Sequence, residues 1–163
     1  NYLRVYDSPD LTGHEILGAL NNLQALLGGL LDGLELESGT RASLLTRALH
    51  ESRRLLEEEG GDPNSIQGLA GVGGSVALGF NLESRNFRLG RALSGGESLE
   101  QARSTIRGCL ESPEIARVVH RRILKKELKA PLFTELYGIV HENLDPLSFV
   151  EKIIRLKHPP EGG

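Results

Sequence analysis

Apolar residues return at helical spacing almost from the start of the chain. From Thr12 onward they fall at Ile16, Leu17, Leu20, Leu23, Leu27, Leu30, Leu31 and Leu34. That stripe is too broad for a surface helix, so the pattern predicts a long, deeply buried one. Gly28, Gly29 and Gly33 interrupt it, at roughly 1 kcal/mol each relative to alanine. Their smallness predicts that another helix comes close there. A second helix is predicted from Thr40 to Glu59, with Leu44, Leu45, Ala48, Leu49, Leu55 and Leu56 on its inner face. Arg47–Glu51, Arg53–Glu57 and Arg54–Glu58 stand four apart and are expected to pair on its solvated face. Gly60 and Gly61 end it.

Further along, cap and proline signals set the boundaries. Asp62-Pro63 predicts a cap followed by a short helix that ends before the glycine-rich stretch from Gly68 to Gly79. Another helix is expected over Ser84–Leu93, and Ser98-Leu99-Glu100-Gln101 reads as a capping box opening the next. Ser112-Pro113 starts a helix with Ile115, Val118, Val119 and Ile123 inward. Pro131 begins one carrying Phe133, Leu136, Tyr137 and Val140. Asp145-Pro146 repeats the cap-plus-proline device before Phe149, Val150, Ile153 and Ile154. Leu3-Arg4-Val5-Tyr6 reads as one short strand, broken by Asp7-Ser8-Pro9-Asp10. The tail His158–Gly163 is expected to be disordered.

Composition agrees with this pattern. The chain has 163 residues, enough for one domain with its own core. Leucine dominates, aromatic residues make up only 4%, and Trp and Met are absent, which favours helices over strands. A formal net charge of −3 with mixed signs leaves no nucleic-acid footprint. No apolar run reaches the ~18 residues of a membrane span. The single Cys109 excludes an internal disulfide and fits a reducing compartment.

Candidate chemistry is sparse. The five histidines are scattered and Cys109 has no partner, so no metal-ligand spacing arises, and Cys109 reads as a small buried hydrophobe. Gly71-Val72-Gly73-Gly74 lacks the spacing of a dinucleotide loop and follows no convincing strand. Two clusters remain. Gly18-Ala19-Leu20-Asn21-Asn22 places two amides inside an apolar helix, where they need partners. Ser84-Arg85-Asn86-Phe87-Arg88 combines a planar guanidinium with an amide at a helix start, a set that suits a phosphate.

These clusters, in this order, resemble NAD-dependent glycerol-3-phosphate dehydrogenases of the bacterial type. Gly13-His14-Glu15 with Gly18–Asn22 is similar to the family's G-x-E…G-A-L-K-N stretch. Thr46-Arg47 within Leu44–Arg53 is similar to I-T-R-G-L-x-E-x-x-R, and Gly68–Gly73 to G-L-A-G-L-G. Ser84-Arg85-Asn86 with Gly90 is similar to S-R-N-x-x-x-G, and Ala130-Pro131-Leu132 to M-P-I. The resemblance implies an all-α fold, a single multi-helix domain like the C-terminal domain of 6-phosphogluconate and glycerol-3-phosphate dehydrogenases. It divides the chain into residues 1–9, a strand and linker from an upstream cofactor domain, residues 10–157, the helical substrate-binding domain, and the tail 158–163. It implies a cytoplasmic protein, with NAD bound by an upstream Rossmann domain in cis and not by this chain alone.

The carry-over of site residues is partial. Arg85 and Asn86 match the family's phosphate-binding pair and Asn22 its asparagine near the substrate. Asn21 stands where the family has its catalytic lysine. Gly74 stands at the acidic residue that would orient that lysine, and Leu78 at a threonine. An amide donates a hydrogen bond but relays no proton in the useful pH range. Removing both members of an ionic pair avoids the roughly 3–5 kcal/mol cost of leaving one buried charge alone. The resemblance therefore implies a catalytically degenerate substrate-binding domain that can hold a small phosphorylated ligand and is inactive by itself. Two alternatives stand beside it. In one, the parent is an active dehydrogenase served by a lysine from the upstream domain; in the other, this chain is a non-catalytic helical dimerisation or interaction module, a homodimer among the options, whose leucine-rich first helix packs on a partner.

Overall fold

The computed structural model describes residues 5–155. Among them lie eight α-helices and two tight turns of helix, and no strand. The helices are α1 (Leu11–Gly33), α2 (Ser38–Glu58), α3 (Gly74–Gly79), α4 (Arg85–Ser94), α5 (Leu99–Thr105), α6 (Ser112–Lys126), α7 (Pro131–Glu142) and α8 (Pro146–Arg155). A 3₁₀ turn (Pro63–Gln67) and a π turn (Leu69–Gly73) lead into α3. Of the short strand expected at Leu3–Tyr6, Leu3 and Arg4 lie outside the described residues, and Val5 and Tyr6 are exposed without regular structure. The expected disordered tail also lies outside them.

α1 is the axis of the domain. Leu17, Leu26, Leu27, Leu30 and Leu31 are fully buried, and α2, α3, α4 and α6 all pack on this helix. Its glycines do what their size predicts. A Cβ on Gly28 would lie 2.0 Å from the carbonyl oxygen of Gly79 in α3. One on Gly29 would lie 1.8 Å from the carbonyl oxygen of Phe87 in α4. Gly90 of α4 faces the backbone of Leu26 and Leu30 at similarly short range. Backbone therefore rests on backbone, and the α1 surface is filled from within the chain. The leucine stripe from Leu17 to Leu31 is thus spent on internal packing.

The predicted boundaries are met by the caps. Asp10 accepts from the Gly13 backbone at 2.9 Å and also from Asp62 and Ser65, tying the start of α1 to the 3₁₀ turn. Ser98 and Gln101 form the reciprocal capping box of α5. Asp145 caps α8 through Ser148 at 2.8 Å. Gly60 adopts φ +83° after α2. The glycine-rich stretch, expected to separate helices, is itself helical, and it packs closely enough that a Cβ on Gly71 would strike the Ile66 carbonyl at 2.0 Å.

Several surface expectations fail. Arg53–Glu57 pairs at 2.9 Å, but Arg47 and Arg54 do not use their expected partners. Arg47 donates to the Ile153 carbonyl and Arg54 to the Lys129 carbonyl, each at 2.6 Å, while Glu58 pairs with Lys126. Glu51 is only 3% exposed, and its two oxygens accept from the Leu132 and Phe133 backbone N–H groups, each at 2.9 Å. It caps α7 from across the core, because a carboxylate in α2 reaches the free N–H groups of that helix start. Val118 and Ile154, expected inward, are 54% and 51% exposed. Each sits beside a buried residue on its helix, one step past the inner stripe. Cys109, expected buried, is exposed because it lies in the segment between α5 and α6.

Candidate functional site

The polar clusters named by the sequence meet at the middle of α1. Asn21 and Asn22 are neighbours on that helix. Gly74 and Leu78 lie one turn apart on α3, and Arg85 and Asn86 open α4. α4 is brought there by Ser84, whose hydroxyl accepts from the Phe87 backbone, and by the glycine contact between Gly29 and Phe87.

Asn86 is 7% exposed and bonded on both sides of its amide. Its Nδ2 donates to Asn22 Oδ1 at 2.7 Å, and its Oδ1 accepts from the Ser112 backbone N–H at 3.2 Å. Asn22 is half-buried, and its Nδ2 donates weakly back to the Gly18 carbonyl at 3.3 Å. Its oxygen is thus occupied, and the side of Asn22 left for a ligand is a donor.

Asn21 turns the other way. It is 6% exposed, and its Nδ2 donates to the Ala70 carbonyl of the π turn at 2.7 Å. Its Oδ1 is buried without a partner, as is the amide oxygen of Gln24 one turn further on. The amide fills the space where a side chain at residue 74 would begin. A Cβ on Gly74 would lie 2.1 Å from Asn21 Nδ2 and 3.0 Å from its Oδ1. Leu78 is half-buried on the same helix as Gly74.

Arg85 is exposed, with its guanidinium over Gly108 in the segment between α5 and α6. The structure therefore unites Asn22 with Asn86 and Asn21 with Gly74. It keeps Arg85 at the solvent-facing edge, one residue from Asn86. Sequence reasoning missed three contributors: the Ala70 carbonyl, the Ser112 backbone N–H and Gly108. Two are main-chain groups, which no residue type announces, and Gly108 reads in sequence only as one more loop glycine.

The glycine-rich stretch offers no dinucleotide cradle. Its backbone is wound into helix, and Gly71 is held against Ile66 instead of facing outward. Among the described residues, no group of three His, Cys, Asp or Glu is placed to hold a metal ion. No helix among them is long and apolar enough to cross a membrane.

Two bonded amides, an exposed arginine and a buried amide–glycine contact, gathered among helices, define the class as an all-α domain with a polar cluster set against its leucine core. Comparison with known proteins makes that class specific. Residues 10–151 match the family model for the NAD-dependent glycerol-3-phosphate dehydrogenase C-terminus, and the chain belongs to that family. A glycerol-3-phosphate dehydrogenase [NAD(P)+] of Coxiella burnetii is 37% identical over 151 residues, covering 93% of this chain and 46% of the relative. One from Staphylococcus aureus is 35% identical over 154 residues, covering 94% and 46%. The crystal structure of the Coxiella burnetii enzyme superposes with a TM-score of 0.91 at 35% identity, covering 96% of this chain and 48% of that one. Plasmodium falciparum glycerol-3-phosphate dehydrogenase, at 21% identity and a TM-score of 0.85 over 97% and 46%, shares the fold. The chain thus spans about half the length of the curated relatives it matches.

Proposed function

We propose that this domain binds a small phosphorylated three-carbon ligand, glycerol 3-phosphate in the first place, and has lost the proton-transfer half of the dehydrogenase reaction. The observation that carries the reading is the fit between Asn21 and Gly74. With Asn21 Nδ2 bonded to Ala70 and 2.1 Å from the Cβ position of residue 74, a carboxylate at 74 enters only if the Asn21 amide gives up that place. Position 21 carries an amide, which neither takes up nor releases a proton near neutral pH whatever bonds it makes.

The donor side of the site is intact in chemistry. Arg85 supplies a planar fork of N–H groups to a phosphate, and Asn22, oriented by Asn86, adds an amide donor. A nicotinamide cofactor would supply or accept hydride in a complete enzyme of this family. The residues present here do not fit its dinucleotide, so its binding belongs to an upstream domain of the full-length protein. This chain's own part is to hold and orient the phosphorylated ligand.

Calorimetry on the full chain tests the reading. Glycerol 3-phosphate is expected to bind with measurable heat at millimolar ligand and glycerol is not, while Arg85→Ala is expected to remove the heat at that concentration, leaving only weaker residual binding. No heat with the unsubstituted chain would remove ligand binding from the account and leave a scaffold.

A further inference from the structure

We infer that Gly108 is a positioning residue: its missing side chain is what seats the Arg85 guanidinium for the ligand's oxyanion. The inference rests on the binding reading above and names a residue that the site residues alone do not include. The three atoms nearest to a Cβ built on Gly108 all belong to Arg85. They are Nη1 at 2.6 Å, Cδ at 3.2 Å and Cζ at 3.6 Å. The arginine thus lies along the backbone of residue 108 as on a shelf, with both the stem and the head of the side chain in contact.

The shelf is fixed to the arginine's own helix. Ser112, the first residue of α6, where that segment ends, donates its backbone N–H to Asn86 Oδ1 at 3.2 Å. Arg85 and Asn86 are consecutive, so the segment that seats the guanidinium is anchored one residue away from it. The same Asn86 holds Asn22 at 2.7 Å. Asn86 thus ties the segment carrying the shelf to the Asn22 donor, with Arg85 next to it in the chain, and both groups presented are donors, as an oxyanion requires.

The consequence of adding a methyl group at 108 follows from what it meets. The nearest atom is the far end of a flexible side chain, so the clash is relieved by moving Arg85 and not by moving backbone. Gly108 also adopts φ +101°, which any L side chain strains. Gly96 is the matched control. It has φ +87°, and nothing lies within 4 Å of its Cβ position.

The test compares wild type, Gly108→Ala, Gly96→Ala, Arg85→Ala and the Arg85→Ala/Gly108→Ala double variant on the full chain. Glycerol 3-phosphate affinity is read by calorimetry, at ligand concentrations that reach the residual binding of the arginine variants, and stability by thermal melting. Gly108→Ala is expected to weaken binding about tenfold, the scale of one displaced charged hydrogen bond. Gly96→Ala should bind like wild type with a similar loss of melting temperature. In the Arg85→Ala background, Gly108→Ala should change affinity no further. Wild-type affinity in Gly108→Ala, or an equal loss with and without Arg85, would overturn the inference. Should wild type bind no glycerol 3-phosphate, the binding reading fails separately. The seat is then decided by the Arg85 Nε–Hε resonance of the ligand-free protein, which must shift in Gly108→Ala and not in Gly96→Ala; an unshifted resonance overturns it.

Discussion

Two regions of this domain bury polar groups inside a leucine core, and they do so in opposite ways. On α2, Glu51 brings both carboxylate oxygens to the start of α7, and each finds a backbone N–H at 2.9 Å. On α1, Asn21 and Gln24 each bond through the nitrogen and leave the amide oxygen unpaired. A fully satisfied buried group is part of the architecture, since removing it exposes the desolvation cost of its partners. A half-satisfied one holds the fold less firmly, and at Asn21 it sits where the family's chemistry is expected. The carboxylate keeps its place by joining α2 to α7. Asn21 is matched instead to its neighbour Gly74, which makes that pair the place where substitution tunes the site without dismantling the bundle.

The largest expected effect breaks the comparison on the structural side. Glu51→Ala leaves two first-turn N–H groups of α7 buried and unpaired, and should cost about 3 kcal/mol in chemical denaturation. Glu51→Gln keeps one acceptor and should lose less. Neither should change glycerol 3-phosphate affinity, because Glu51 and the start of α7 share no hydrogen bond with Asn22 or Asn86. Gly29→Ala should come next, at roughly 2 kcal/mol from forced repacking against the Phe87 carbonyl. Unlike the Glu51 variants, it should also weaken binding, since it pushes α4 and with it Asn86 away from Asn22.

pH sharpens the same contrast. Burial pushes the Glu51 carboxyl up to about 7, against the pull of the Leu132 and Phe133 N–H groups and of Arg47 and Arg54. A folded value above the unfolded one means the folded state holds more protons between about 4.5 and 7. The contribution of Glu51 to stability is therefore full below the unfolded value and is lost as pH rises through that window. Denaturation midpoints of wild type should fall over this range more than those of Glu51→Gln, which has nothing to titrate. A parallel course for the two proteins would assign the buried carboxylate an ordinary acidity.

The smallest effect on stability, and the most informative for chemistry, belongs to Asn21 and Gly74. Gly74→Asp alone should destabilise, because its Cβ meets Asn21 Nδ2 at 2.1 Å. Asn21→Lys with Gly74→Asp should relieve that clash and restore an ionic pair. In the full-length protein the double variant should gain turnover that neither single variant shows.

Much of this contrast was legible along the chain, and the part that was not has a physical cause. The α1 stripe, the glycine contacts, the capping box and the proline-led helix starts all follow from local rules, and they define the fold. At Glu51 two local rules compete, i, i+4 pairing with Arg47 and helical spacing, and spacing wins. Residues 44, 48, 51, 52 and 55 share one face of α2, so the inner stripe already contained the carboxylate. At the site, the residue types at 21, 22, 85 and 86 were legible through a family resemblance. Their pairing was not, since Asn86 could face ligand or Asn22 equally well by spacing. Ala70 and Ser112 act through main-chain atoms, and Gly108 acts through having no side chain, so none left a signal in residue type.

The central claim is that this site keeps its oxyanion donors and has lost its proton transfer. The most direct measurement is dihydroxyacetone phosphate-dependent NADH oxidation by the full-length protein at saturating substrate. The account predicts a rate at background for the unsubstituted protein. Turnover of about 1 s⁻¹ or more, in the range of working enzymes, would contradict it and return Asn21 and Gly74 to an active dehydrogenase.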